Sequence, residues 1–346
     1  MKLKRTIHAK LVLDRGGKRE AVEREYWAWQ RQLGGKDETL YSAAKQQAQR
    51  FRRRVKKQNR HGLKRKEYPM ILRRDCVKVQ CQKDSVFRWW IRIPVNPRSI
   101  WVPMQLPYEQ ERLLNYDLRE CKLIRDGEKW FVNIIVQKQA RLKRRYAAVL
   151  PIDMGIRKLA TTIEDGKPCF YGKEVRRIRG RYFKLRRSVG KGGIVKKWKH
   201  KEHEIVKHQV HAVTRQIVNR AKQTNAIIAI GDLKGIRKQG DSKGRSFKRR
   251  LSSQPFYMFK QMLTYKANWE GIRVIEVPEA YTSQTCSRCG LRGQRVAGRF
   301  SCQNCGLAVD ADVNAAWNIG KRAHGLLAHE AGAVLTPPRT LAVCEP

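Results

Sequence analysis

The chain has 346 residues, enough for two or three domains with cores of their own. Lys and Arg number 76 against 30 for Asp and Glu, a formal charge of +46 spread from end to end. Such an excess repels itself in a compact fold unless polyanions neutralise it. Nucleic acid is therefore the expected partner, contacted along many phosphates, and a single basic tail is excluded.

Residues 2–13, KLKRTIHAKLVL, alternate well enough for a strand. Residues 20–60 read as helix. Leu40, Ala44, Ala48, Phe51 and Val55 form one apolar stripe among basic residues, so one face is buried and one is open to phosphates. Arg52, Arg53, Arg54, Lys56 and Lys57 lie on that basic face. From about 66 to 148 short strands dominate, with a hairpin turn at Arg125-Asp126-Gly127-Glu128. That pattern fits a small barrel or sandwich, with Trp89, Trp90, Trp101, Trp130 and Phe131 expected in its core.

Beyond residue 147 strands alternate with helices, which implies an α/β layer. AAVLPIDMG is a buried strand ending on Asp153, and LATTI follows it. Residues 173–222 are helical and very basic, carrying Lys196 and Lys197, with a buried stripe of Val206, Val210, Val213, Ile217 and Ala221. AIIAI (226–230) is a strand, followed by Lys234 and Arg237 as further phosphate-binding candidates. FYMFKQMLTYKANW (256–269) reads as helix and IRVIEV (272–277) as strand. From Ala323 to Pro346 no clear period survives, and the segment is expected to be a flexible tail.

Two Cys-x-x-Cys knuckles, Cys286/Cys289 and Cys302/Cys305, stand twelve residues apart, each followed by a glycine. Disulfides or a redox motif are the alternatives. The doubled motif favours a structural Zn²⁺ site, since four thiolates leave no open position for chemistry. The other five of the nine cysteines are scattered, which fits a reducing cytosol or nucleoid. No apolar run approaches the ~18 residues of a membrane span, and the N-terminal stretch has no signal-peptide core.

Asp153 ends a strand and Asp312 opens a helix, VNAAWNIGKRA. Carboxylates that converge at one sheet edge amid positive charge suit Mg²⁺ and a phosphodiester. Taken singly, each would be an ordinary turn or cap residue.

The stretches IDMGIRKLATT, DLKGIRK, YTSQTCSRCG, FSCQNCG and DADVNAAWNI, in that order, resemble the TnpB (OrfB-type) transposon-encoded proteins, relatives of the type V CRISPR effectors and of Fanzor proteins. With the basic helical region, the match covers about half the chain. The resemblance implies a RuvC-like, RNase H-type nuclease fold over 147–282 and 307–322, with a zinc ribbon inserted at 283–306. It also implies a wedge-like β-barrel over 1–15 and 66–146, a helical recognition insert over 16–65, and a tail over 323–346. The implied activity is RNA-guided, Mg²⁺-dependent cleavage of double-stranded DNA beside a short recognition motif, with a guide RNA from the transposon end. Asp153 and Asp312 match the first and last RuvC aspartates, whereas Asp310 fits only as a neighbouring surface acid.

One departure stands out. The family places a Glu at the end of the central strand, where this chain has Gly231. Asp232 is adjacent but out of phase in an extended segment. Glu279, just past strand 272–277, is the expected replacement, as in the rearranged site of Fanzor proteins; Glu276, mid-strand, is weaker. Two readings therefore stand: a nuclease using Asp153, Glu279 and Asp312, or a nuclease-dead, RNA-guided DNA-binding protein. Nothing resembles a Tyr or DDE transposase.

Overall fold

The computed structural model describes residues 2–13, 17–36, 38–58, 67–143, 145–189, 192–232 and 244–329. The chain divides into two compact units, Met1–Gln139 and Ala140–Pro346.

The first unit is built on seven antiparallel strands: β1 (Lys2–Leu11), β2 (Met70–Arg73), β3 (Lys78–Cys81), β4 (Trp89–Ile93), β5 (Ile100–Gln105), β6 (Asp117–Asp126) and β7 (Lys129–Gln139). Their order is β2-β6-β7-β1-β5-β4-β3. Flat, six strand spacings would put β2 and β3 roughly 29 Å apart. Yet only five residue steps join Arg73 to Lys78, a reach of at most ~18 Å. The sheet must therefore coil until its edges approach. Ile7, Ala9 and Leu11 alternate inward along β1, and Val132, Ile134 and Val136 do so along β7. Gly127, at φ 60°, makes the β6–β7 turn.

The helical stretch expected over residues 20–60 is two helices, α1 (Lys18–Gly34) and α2 (Ser42–Gln58). Gly35, at φ 105°, ends the first with a left-handed cap whose N–H returns to Arg31 and Gln32. Ala44, Ala48 and Val55 are buried, as the stripe requires. Of the five aromatic residues expected in the core, Trp130 alone is fully buried, edge-on to Tyr26; Trp89, Trp90, Trp101 and Phe131 are half-buried. A four-residue helix, α3 (Tyr108–Glu111), completes the unit.

The second unit has a mixed five-stranded sheet in the order β10-β9-β8-β11-β12. Its strands are β8 (Ala148–Asp153), β9 (Ala160–Glu164), β10 (Lys167–Tyr171), β11 (Ala226–Asp232) and β12 (Val274–Pro278). β8, β11 and β12 run parallel, whereas β9 and β10 form antiparallel hairpins beside β8. The helices are α4 (Lys173–Val189), α5 (Gly193–Gln223), α6 (Arg245–Ser252), α7 (Phe256–Trp269) and α8 (Ala311–His329).

The strand period of two sorts side chains between two faces. Leu150, Ile152, Ile228, Ile230 and Val274 pack with Val206, Val210 and Ile217 of α5 and with Phe259 and Leu263 of α7. Val149, Ala229, Ile275 and Val277 pack on the other face, against Ile319 and Ala323 of α8. The tail expected from Ala323 onward is thus corrected: α8 runs to His329, and Ala323 and Leu327 are buried against the sheet. Those two residues, one helical turn apart, keep the period while His324, Gly325 and Leu326 lie between them, and so sparse a stripe is easily missed. Residues 330–346 lie outside the described residues. No helix among the described residues is long and apolar enough to cross a membrane.

A third sheet, β13 (Gln294–Val296), β14 (Arg299–Ser301) and β15 (Ala308–Asp310), carries the cysteine knuckles and runs directly into α8. The ribbon therefore extends past residue 306 to Asp310.

Candidate active site and metal centre

Continuing the alternation to the strand ends locates the carboxylates. Asp153 is in phase with Val149 and Pro151, Gly231 with Ala229, and Glu279 with Ile275 and Val277. All three positions fall on the α8 face, where Asp312 occupies the first turn of that helix. Asp232 is in phase with Ile228 and Ile230, which pack on the opposite face. Glu276 is also out of phase, exposed and paired with Lys260 at 2.6 Å.

Asp153, Glu279 and Asp312 share this face, and the charges of Glu279 and Asp312 both bear on Asp153. Asp153 is 6% exposed. Its carboxyl is hydrogen-bonded to that of Glu279. A Cβ built on Gly231 would lie 2.9 Å from Glu279 Oε2, so the Glu279 carboxylate fills the space where a side chain at 231 would begin. Gly231 does not have a positive φ, so this glycine is required for room rather than for backbone conformation. Asp312 Oδ2 would be 3.6 Å from a Cβ at Gly155, in the loop after β8.

Burial is the first cause of the site's electrostatics. Burial and the charges of Glu279 and Asp312 hold Asp153 well above the ordinary carboxylate range, partly offset by Arg295. Burial pushes Glu279 up to about 7; the Asp153 hydrogen bond opposes this and the Asp232 charge adds to it. Burial and Asp310 raise Asp312, against Lys158, Arg295 and Arg157. Glu279 Oε2 is buried with no hydrogen-bond partner. Acids whose charges raise one another, with an orphaned oxygen among them, are a donor set that a divalent cation would suit.

Several residues that position this site gave no sequence signal. Arg322, on α8, donates to the carbonyls of Pro278 and Ala280 at 2.6 and 2.8 Å, gripping the chain on both sides of Glu279. Arg295, on β13, reaches Asp312 at 3.5 Å. Asn314 and Asn318 donate to the carbonyls of Thr282 and Thr285, and Asn314 accepts from the Ser287 N–H inside the first knuckle. Asp310 caps α8: its Oδ1 accepts the Asp312 N–H at 3.0 Å and its Oδ2 binds Lys158 at 2.7 Å.

The sulfurs of Cys286, Cys289, Cys302 and Cys305 lie within 4.8 Å of one another, two pairs at 3.5 Å. Sulfurs ~3.8 Å apart are what a tetrahedral ion with Zn–S near 2.3 Å demands. The two knuckles repeat one geometry: Gly290 and Gly306, at φ 81° and 70°, each donate to the carbonyl of the first cysteine at 3.0 Å. These residues fit Zn²⁺ with no position left open.

The phosphate-binding candidates are scattered. Arg53 and Arg54 are exposed on α2, while Arg52 is half-buried with its guanidinium against Gly35. Lys196 and Lys197 are exposed on α5. The side chains of Lys56 and Lys57, and Lys234 and Arg237 altogether, lie outside the described residues.

Residues 256–319 match the Cas12f1-like TNB domain. The chain is 30% identical over 152 residues to the TnpB-like protein MJ0751 of Methanocaldococcus jannaschii, covering 43% of this chain and 52% of that one. It is 26% identical over 273 residues to the putative RNA-guided DNA endonuclease InsQ of Escherichia coli K12, covering 71% and 68%. The chain thus spans about half the length of the first of these relatives. In fold it is similar to the protein of the AacC2c1–sgRNA–extended non-target DNA ternary complex, with a TM-score of 0.52 at 10% identity, over 74% of this chain and 55% of that one. The architecture is an α/β fold of the kind seen in the Cas12 effectors, with a four-cysteine cluster. In sequence the chain resembles the TnpB-type proteins.

Proposed function

We propose that the chain is an RNA-guided DNA endonuclease whose RuvC-like site consists of Asp153, Glu279 and Asp312. The observation that carries this reading is the fit of Glu279 into the space vacated at Gly231. A protein that had simply lost its second acid would have no reason to bury another carboxylate there, at the cost of desolvating it.

Asp153, Glu279 and Asp312 would hold Mg²⁺, which when bound orients water and stabilises an in-line phosphoryl transfer. The chain's own residues do the rest. Arg322 fixes the backbone on both sides of Glu279, so its carboxylate cannot follow solvent. Arg295 balances part of the negative charge before a cation arrives. The four-cysteine ribbon, with Zn²⁺, holds the start of α8 and therefore Asp312. The second unit serves as the nuclease body. The coiled sheet and the α1–α2 pair of the first unit serve as wedge and recognition elements for guide RNA and target duplex.

The test is direct. Protein purified with its RNA is given double-stranded DNA matching that RNA, with and without Mg²⁺. Cleavage that needs both supports the proposal. Binding without cleavage would support the guided binder instead.

A further inference from the structure

Four threonines are buried among the described residues: Thr161, Thr162, Thr214 and Thr282. Three of their hydroxyls are committed. Thr162 donates to the Glu164 carboxylate at 2.7 Å, Thr214 to the Val210 carbonyl at 2.7 Å, and Thr282 to the Glu279 carbonyl at 2.9 Å. The Thr161 hydroxyl makes no hydrogen bond among the described residues, although the residue is only 1% exposed. Burying an unpaired hydroxyl is unfavourable, and valine has nearly the same shape and suits a strand as well. Packing alone therefore does not account for a threonine here.

Its position says what the hydroxyl is for. Thr161 is the direct cross-strand partner of Asp153 in the antiparallel β8–β9 pair. Such partners point to the same face, with Cβ atoms roughly 5 Å apart. Two residues along β9, Ile163 packs against Val313, Ala316 and Trp317 of α8, so Thr161 lies on the α8 face with the three acids. The Asp153 carboxyl is hydrogen-bonded to that of Glu279. Two carboxylates that turn their oxygens to one cation give up the hydrogen bond between them. Asp153 then needs another donor to fix its plane, because a carboxylate that ligates a metal is itself held by hydrogen bonds. The uncommitted hydroxyl opposite it needs only a rotation about one side-chain bond to serve.

We propose that Thr161 is a positioning residue for the cation site: its hydroxyl donates to Asp153 when that carboxylate ligates a divalent cation, and so fixes the direction of the Asp153 oxygens. This role rests on the three-acid site proposed above.

Thr161→Val removes the hydroxyl and keeps the shape, and Thr161→Ser restores it. Both variants and wild type are compared as RNA-loaded protein. One readout is melting temperature without added divalent cation. The other uses Fe²⁺ as the probe: with ascorbate and peroxide it cleaves the polypeptide beside the residues that hold it, and fragment yield against Fe²⁺ concentration gives half-saturation. Wild type should be cut near Asp153, Glu279 and Asp312, and Asp153→Ala should not. Thr161→Val should melt no lower than wild type, since it loses an unpaired hydroxyl, yet need about tenfold more Fe²⁺. Thr161→Ser should need the wild-type amount. Equal half-saturation for wild type and Thr161→Val would overturn the proposal and leave the cation site standing. A lower melting temperature for Thr161→Val would overturn it too, by making the hydroxyl a structural one. Wild type left uncut at the acids would defeat the cation site itself, and the role of Thr161 with it.

Discussion

At the scale of single residues, Gly231 and Glu279 define each other. Replacing Gly231 by Ala puts a Cβ 2.9 Å from Glu279 Oε2, and the flexible end of Glu279 must give way. Cleavage should fall at least tenfold with little change in melting temperature, because the clash is relieved by the side chain rather than by the backbone. Moving the acid back, with Gly231→Glu in a Glu279→Ala background, should recover cleavage that Glu279→Ala alone has lost. The raised carboxyls also set a pH dependence. Glu279, near 7, and Asp153 bind protons in the folded protein that the unfolded chain has released above about pH 4. Their stabilising contribution is present at low pH and is lost as pH rises through about 7. Without Mg²⁺ the melting temperature should therefore decline over that window, and added Mg²⁺ should flatten the decline. A metal-free protein that gains stability from pH 5 to 7.5 would show that the acids are not packed this way.

Elements turn these residues into a site. Asn314 and Asn318 tie α8 to the segment 282–287, and that segment leads from Glu279 into the first knuckle. Asn314 is wholly buried, so Asn314→Ala should cost roughly 2–3 kcal/mol in a denaturant melt, the expected loss for several buried hydrogen bonds with partners left unsatisfied. Cys289→Ser should release zinc and loosen the start of α8; metal analysis of freshly purified wild type should give one zinc per chain. Most elements were legible because their signals are periodic: α7 and β11 begin where the apolar runs begin. The knuckles were legible from spacing alone. The α1–α2 break was marked by Gly34-Gly35 inside a good helical run, and the α8 extension by only two buried residues. Arg322, Arg295 and the asparagine clamp gave no such signal, because their partners are far away in sequence. The phase argument that set aside Asp232 could be made from sequence; that Glu279 fills the space at Gly231 needed the folded chain.

At the scale of the whole molecule, the excess of 46 positive charges sets behaviour before any single contact does. The protein should copurify with RNA and become poorly soluble when stripped of it at low salt. Nucleic-acid-free, monodisperse protein at low salt that is unaffected by added RNA would contradict this. The central claim is that this charge delivers DNA to a three-carboxylate site completed by Glu279. The measurement that tests it most directly compares wild type, Asp232→Ala and Glu279→Ala, each loaded with the same RNA, for binding and for Mg²⁺-dependent cutting of a matching duplex. Wild type and Asp232→Ala should bind and cut; Glu279→Ala should bind as tightly and not cut. Cutting by Glu279→Ala at the wild-type rate, or binding without cutting by wild type, would contradict it.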